Sequence, residues 1–119
     1  MKNTLIVGAT PNEDRYANKA AKRLVDAGHT IIPFGIKKGI VCGKKIINLW
    51  ENFQDIHTVT LYVGPGRQKE YIKKIIEIKP ERVIFNPGTE NPDFKLQLEK
   101  AGIAYEESCT LVLLSLNKY

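Results

Sequence analysis

The sequence predicts a three-layer α/β fold, in which helices cover both faces of a parallel sheet of about five strands. Short apolar runs of branched residues alternate along the chain with stretches of about 10–15 residues that have helical periodicity. Most of the apolar runs end at a turn that contains glycine or proline. With right-handed crossovers, we predict the strand order 3-2-1-4-5, counting the strands along the chain.

The chain opens with a buried strand and a turn of small residues. Leu5, Ile6 and Val7 form a branched apolar run, and Gly8 starts a small and polar stretch that reaches Asn12. Such a turn lets backbone N–H groups approach a phosphate, and the N-terminus of the following helix adds partial positive charge. The glycine fingerprint G-x-G-x-x-G and the P-loop motif are both absent. The turn therefore indicates a phosphate ligand without identifying it.

The first helix follows from Tyr16, with Asp14 as its predicted N-cap and Gly28 as its residue C′. Its inward face is predicted to consist of the residues at helical spacing, Ala17, Ala20, Ala21, Leu24 and Val25. The small alanines suit a helix that lies close to a sheet.

The second strand is predicted at residues 29–34, and the stretch after it is the least regular part of the chain. We predict a short extended excursion at 41–47 and a helical turn at 49–53. Trp50 and Phe53 are expected to cover an edge of the core.

The alternation of strands and helices resumes at residue 58. The predicted elements are a strand at 58–63, a helix at 67–79, a strand at 82–85, a helix at 92–101, a strand at 103–105, and either a closing strand or a last helical turn at 110–116. Asn91 followed by Pro92 is a typical helix start, with proline at the first helical position.

Length and composition predict one domain spanning residues 1–119, with 43% hydrophobic and 26% charged residues. No apolar run approaches the ~20 residues of a membrane span. Met1 leads almost directly into the first strand, so we expect no signal peptide. Cys42 and Cys109 lack metal-ligand spacing, and we expect reduced thiols in a cytoplasmic protein, with that of Cys109 buried and inert.

The net charge of +5 comes from basic residues that are spread over helices and loops. A nucleic-acid-binding protein would often gather them on one helix or arm with interleaved aromatic residues, so we expect no nucleic-acid partner. A few lysines in loops suit a small anionic ligand better.

Candidate binding residues are found by a rule of open parallel sheets, that ligands bind outside the carboxyl ends of the strands. The loops predicted at those ends are residues 8–16, 35–38, 64–67 and 86–90, and three of them carry Arg or Lys. His29 and His57 precede strands and fall at the opposite ends. No catalytic triad, Cys-His pair or pair of carboxylates can be assembled among the ligand-side loops.

The end of the second strand also discriminates among nucleotides. Proteins that bind NAD place an acidic residue there to hold the ribose hydroxyls. This chain has Lys37 and Lys38 shortly after Phe34. These lysines disfavour NAD and suit a phosphate on the adenosine ribose, which leaves NADP or coenzyme A.

Four segments in order along the chain carry a resemblance to a known family: residues 7–18, 28–33, 39–43 and 86–91. They resemble the small stand-alone coenzyme A-binding proteins, which are similar to the N-terminal domain of the succinyl-CoA synthetase α subunit. The resemblance covers nearly the whole chain. It implies a Rossmann-like domain that holds coenzyme A or a short acyl-CoA across the strand ends.

The resemblance also implies the ligand contacts. They would be Gly8, Ala9, Thr10, Arg15 and Tyr16 at the pyrophosphate, Pro33, Lys37 and Lys38 at the adenosine end, Val63, Gly64 and Arg67 beside the pantetheine or adenine, and Asn86, Pro87, Gly88 and Glu90 closing the pocket.

Activity is not implied by this resemblance, because the synthetase domain needs the catalytic histidine of a second domain. The expected function is therefore non-catalytic binding of coenzyme A. Two alternatives stay open at this point: an NADP-dependent reductase-like domain, and a protein-interaction module with a vestigial nucleotide pocket that contacts its partner near Trp50.

Overall fold

The computed structural model describes every residue from Met1 to Tyr119. In chain order the elements are β1 (Asn3–Val7), α1 (Tyr16–Asp26), β2 (Thr30–Phe34), β3 (Ile40–Val41), β4 (Lys44–Lys45), β5 (Thr58–Leu61), α2 (Pro65–Ile78), β6 (Arg82–Phe85), α3 (Pro92–Lys100), β7 (Ala104–Glu107) and α4 (Thr110–Ser115). None of the helices is both long and apolar enough to cross a lipid bilayer.

Five strands form one sheet in the order β2-β1-β5-β6-β7, and every neighbouring pair is parallel. The fold is therefore Rossmann-like α/β, as the alternation of strands and helices predicts. The only antiparallel pairing is a separate hairpin of β3 and β4, within the excursion predicted at 41–47.

The predicted strand order was wrong. Counted along the chain, the five strands lie in the order 2-1-3-4-5, because β5 pairs with β1 and not with the outer edge of β2. That outer edge is already occupied. The amide of Gly35 donates to the Ile47 carbonyl at 3.1 Å, and the amide of Ile47 donates to the Pro33 carbonyl at 2.9 Å. The third strand therefore takes the free edge of β1.

The connection from β2 to β5 crosses the sheet without a helix. The helical turn predicted at 49–53 is absent; instead, Trp50, Phe53 and Ile56 pack into the core beneath the sheet as an extended crossover. The aromatic residues around Trp50 fill the space that a crossover helix would occupy. Phe53 is buried in the core and Trp50 packs half-buried against it, in agreement with the expectation that both cover an edge of the core.

The sheet separates two hydrophobic clusters. One packs α2 and α3 against residues such as Leu5 and Phe85, and the other packs α1 and the C-terminal Tyr119 against alternate strand residues such as Ile6 and Ile84. Alternate residues of a strand point to opposite faces, so both faces of the central strands are buried, with Thr4, Thr58 and Thr60 as buried polar residues among the apolar ones. Only α1 and α4 lie on the second face.

The ends of the helices largely follow the sequence signals that predicted them. Gly28 follows α1 with φ of +88°, and the Asn91 side chain accepts from the Phe94 amide at 3.2 Å as the cap of α3. Two details differ from prediction. The N-cap of α1 is Arg15 rather than Asp14, and Val25 is 42% exposed on the edge of the helix. The final apolar segment is a helix, α4.

Candidate functional site

A cleft of about 430 Å³ lies at the carboxyl ends of β1, β2 and β5. β1 pairs with β2 on one side and with β5 on the other, and the cleft lies at this switch point of the topology. The turn after β1, the start of α1 and the loops after β2, β5 and β6 form its walls. The site is therefore built from four separate segments of the chain that the parallel sheet brings to one edge.

The turn after β1 is fixed by backbone hydrogen bonds. The amides of Gly8 and Ala9 both donate to the carbonyl of Phe34, at 2.9 and 3.0 Å, and the Asn18 side chain donates to the Thr10 carbonyl at 3.0 Å. Gly8 has φ of +103° and lies so close to Tyr62 that a Cβ would be 3.0 Å from its carbonyl group. Glycine is required here by conformation and by space. The Gly8 and Ala9 amides are occupied, so neither is available to a phosphate.

Free backbone donors are found instead at the start of α1. The amides of Tyr16 and Ala17 have no acceptor within the chain, as expected for the first turn of a helix. Both residues line the cleft, and the first turn of α1 carries no acidic residue. This helix N-terminus is accordingly a place for an anion, where the free amides and the helix dipole act together.

Cationic side chains surround the cleft. Arg15, Lys37 and Arg67 line it, and none of them forms an ion pair with a carboxylate. Asp14 is the one acidic residue among the lining side chains, and it is exposed. The cleft therefore carries a net positive charge that no internal partner neutralises, which favours an anionic occupant.

The floor of the cleft beside β2 is aromatic. Phe34 and Tyr71 line it, and their rings pack edge to face with centroids 5.4 Å apart. Trp50 supports both from below, at 5.1 Å from Phe34 and stacked 6.1 Å from Tyr71. This apolar platform lies next to Lys37. The arrangement offers a planar group a surface to pack on and a phosphate a cation nearby.

A buried polar network holds the two loops on the far side of the cleft. Gln68 is only 1% exposed, and its Nε2 donates to the carbonyls of Val63 at 2.9 Å and Thr89 at 2.7 Å. Its Oε1 accepts from the Asn91 side chain at 2.9 Å. Both donors and the oxygen of this side chain are thus used to join the loops after β5 and β6, so that wall is preorganised.

Most of the residues that the family resemblance implied as contacts come together at the cleft. Those that line it are Gly8, Ala9, Thr10, Arg15, Tyr16, Lys37, Val63, Gly64, Arg67, Pro87 and Gly88. Whether each one touches a ligand stays a prediction.

Four implied residues do not line the cleft. Pro33 is buried within β2, one residue before the end of that strand, and Lys38 is exposed beyond the lip that Lys37 forms. The Glu90 carboxylate turns back to accept from the Gly88 amide at 2.9 Å. Asn86 is 1% exposed and directs its side chain into the protein, toward β5 and α4.

Sequence reasoning missed two of the three tyrosines of the site. Tyr62 directly follows β5, and Tyr71 lies on α2 facing the cleft. Burial raises the pKa of Tyr62 to about 12, so its hydroxyl is neutral at physiological pH. The rule of strand ends could have identified Tyr62, because it stands at the carboxyl end of a predicted strand. Nothing local marks Tyr71, which is one apolar position of an amphipathic helix.

Both histidines lie at the other end of the sheet, as predicted. The His29 Nδ1 accepts from the Lys2 amide at 2.9 Å, and the His57 Nδ1 is 2.7 Å from the Thr58 hydroxyl. Burial lowers the pKa of both. No three His, Cys, Asp or Glu side chains lie close enough together to hold a metal ion.

Comparison with known proteins points to one family. A family model described as a CoA binding domain matches residues 2–115. A crystal structure of an uncharacterized protein is 50% identical, with a TM-score of 0.98 over 100% of this chain and 98% of that one. A hypothetical protein from Pyrococcus horikoshii is 27% identical, with a TM-score of 0.81 over 93% of this chain and 80% of that one.

A third structure, from Thermus thermophilus, is 18% identical, and its TM-score of 0.83 over 99% of this chain and 90% of that one shows likeness of fold alone. No functionally curated protein is similar enough in sequence to be matched.

Proposed function

The chain belongs to the CoA-binding domain family, and we propose that it binds coenzyme A non-covalently in the cleft at the carboxyl ends of the strands. The proposed role is binding without catalysis: the protein holds the coenzyme and carries out no reaction on it. Both histidines are engaged at the far end of the sheet, and no nucleophile and base face each other across the cleft.

The observation that carries this proposal is the combination of free helix amides with unpaired cations around one cleft. Coenzyme A carries a pyrophosphate and a separate phosphate on its ribose. The amides of Tyr16 and Ala17, together with Arg15, suit the pyrophosphate. Lys37, across the cleft after β2, suits the ribose phosphate. Two cationic positions on opposite sides of the turn match the two anionic positions of the ligand.

The same positions give the ligand a direction along the sheet edge. The adenine would pack on the platform of Phe34 and Tyr71 beside β2, and the pyrophosphate would lie at the start of α1. The pantetheine arm would then pass the loops after β5 and β6, over Gly64 and Pro87. This path follows the strand order β2-β1-β5-β6 from one side of the cleft to the other.

Titration calorimetry and native mass spectrometry of freshly purified protein test the proposal. We expect a coenzyme A-sized ligand to co-purify or to bind on addition, and Arg15→Ala to weaken coenzyme A binding about tenfold, the low end for a charge-assisted hydrogen bond at an exposed position. Arg23→Ala is the matched control, because it removes the same charge from α1 outside the cleft. Its affinity should equal that of the unaltered protein.

NADP is the competing ligand in the same experiment, since Lys37 would also suit the phosphate on its adenosine ribose. Tighter binding of NADP than of coenzyme A would favour the reductase-like alternative. The absence of binding by either nucleotide, in protein that carries no co-purified ligand, would refute the proposal.

A further inference from the structure

A second cavity adjoins the cleft and has a different chemistry. Its volume is about 290 Å³, and it opens on the side of Tyr62 that faces α1 and α4. The residues that line it are Tyr16, Tyr62, Asn86, Pro87, Cys109 and Leu111. Tyr16, Tyr62 and Pro87 line the first cleft as well, so the two spaces share a wall and meet at the same strand ends.

The second cavity offers almost nothing to a polar ligand. Asn86, its most polar lining residue, has its side chain fully engaged: Nδ2 donates to the Thr60 hydroxyl at 2.7 Å and the Leu61 carbonyl at 2.8 Å, and Oδ1 accepts from the Thr110 amide at 2.9 Å. No lysine, arginine or carboxylate lines the space. The buried Tyr62 hydroxyl has no hydrogen-bond partner, but one such group falls short of the two to four polar partners that an ordered water needs, so an apolar occupant is favoured.

The position of this cavity matches the reactive end of the proposed ligand. The pantetheine arm would pass Pro87 after crossing the loop that follows β5, and Pro87 is one of the residues shared by both spaces. The sulfur end would therefore arrive at the mouth of the second cavity. A bare thiol fills little of the space, since a cavity of about 150 Å³ already holds benzene. By the same comparison there is room for an acyl chain of about six carbons or more.

We propose that this second cavity is the subsite for the acyl group of a short-chain acyl-CoA, an inference that rests on the proposed binding of coenzyme A. The phosphates are held at α1 and Lys37, and the acyl chain lies between Tyr62, Leu111 and the Cys109 side chain. The preferred ligand is then the thioester rather than the free thiol. Cys109 lines the cavity and takes no part in a reaction.

Calorimetry with hexanoyl-CoA and coenzyme A as the two probes measures the contribution of the acyl chain. Each fully buried methylene is worth about fourfold in affinity, so a chain that is half buried should bind at least about tenfold tighter than free coenzyme A. Leu111→Trp fills the cavity, and the ratio of the two affinities should then fall to about one. Val112→Trp is the control, because Val112 is the next residue of α4 and is exposed. That variant should keep the ratio of the unaltered protein.

A second readout needs no variant. Cys109 is half-buried, not buried as the sequence predicted, and Cys42 is exposed on the hairpin away from both cavities, so iodoacetamide should label both thiols. Saturating hexanoyl-CoA should slow labelling of Cys109 at least about tenfold, as expected for a thiol enclosed by the chain, and leave Cys42 unchanged. Unchanged labelling of Cys109, or equal affinities of the two probes, would overturn the acyl subsite and leave coenzyme A binding intact. Binding of neither probe would overturn both proposals.

Discussion

Replacing Asn86 by alanine should destabilise the fold by about 3 kcal/mol, because this side chain joins two strands to the last helix. It is 1% exposed and makes three hydrogen bonds, two as donor to β5 and one as acceptor from the Thr110 amide. The N-cap residue of α4, Cys109, supplies no side-chain hydrogen bond. Asn86 therefore takes the place of an N-cap side chain, because it accepts a hydrogen bond from an amide in the first turn of α4.

The magnitude follows from the groups that the substitution leaves without a partner. In Asn86→Ala, the Leu61 carbonyl and the Thr110 amide each lose a hydrogen bond in the interior. A buried polar group without a partner costs about 1–3 kcal/mol, so two of them cost about 2–6 kcal/mol. The substitution exposes both groups to the adjoining second cavity, since Asn86 lines that cavity, and together they give an entering water the polar partners that the unaltered walls lack. The lower half of this range is therefore expected.

Urea unfolding followed by circular dichroism measures this change. Glu90→Ala is the control, as it removes an exposed side chain from the same loop and should change stability by less than about 0.5 kcal/mol. A loss below about 1 kcal/mol for Asn86→Ala would refute the structural role. A variant with full stability and abolished coenzyme A binding would instead make Asn86 a ligand contact, as the family resemblance implied.

Three further outcomes are expected. Coenzyme A should bind about tenfold tighter than its 3′-dephospho form at low salt, and Lys37→Ala should remove this difference while Lys38→Ala should not. Equal affinities of the unaltered protein for the two ligands would mean that Lys37 is only a solvated charge. The folded protein loses the Tyr62 proton near pH 12 and the unfolded chain near pH 10, so stability falls across that window. Between urea melts at about pH 9 and 11.5, Tyr62→Phe should remove up to about 2 kcal/mol of this fall, and an identical fall in the variant would contradict the burial of this hydroxyl. Gly8→Ala should lower the free energy of unfolding in urea by about 2 kcal/mol or more. Gly43 also has positive φ but has open space around it, so Gly43→Ala should lower it by about 1 kcal/mol. Equal losses of stability would mean that the contact of Gly8 with Tyr62 is unimportant.

The sequence was most informative where structure is decided locally. The cap of α3 by Asn91 and the end of α1 at Gly28 follow from short-range hydrogen bonds and from the freedom of glycine, and both were predictable. The irregular stretch around Trp50 was not. Its conformation depends on contacts with Phe34 and Tyr71, which lie far away in the chain. No local pattern encodes such contacts.

Side-chain direction in the loops was a second limit. Asn86 follows a strand in a loop of Gly and Pro, which is equally typical of a ligand contact and of a residue that ties a loop down. The choice depends on which groups lie within reach, here the Thr60 hydroxyl and the Thr110 amide. Likewise, only the close approach of Phe34 shows that the Gly8 amide is already occupied.

The mistaken strand order explains why the loop at 86–90 lies farther from the turn after β1 than predicted. In the predicted order, β6 would lie beside β1, so the loop at residues 86–90 would adjoin the turn that starts at Gly8. In the observed order β5 lies between them, and Tyr62 takes that neighbouring position. The loop after β6 is moved one strand outward, so Pro87 and Gly88 reach the cleft from its rim while the Asn86 side chain packs against β5.

The predicted location of the candidate site does not depend on the strand order, for a physical reason. In any parallel order, the carboxyl ends of all strands lie at one edge of the sheet, and the start of α1 lies beside β1. The strand order decides which loops are nearest to that helix end. Arg67, in the first turn of α2, reaches the cleft only because β5 pairs with β1, which is a long-range contact. Arg15 directly precedes α1 and lies at the cleft whatever the strand order. This difference makes Arg15 the sharper test of the proposed function, because its place beside the free amides of α1 depends on no strand pairing.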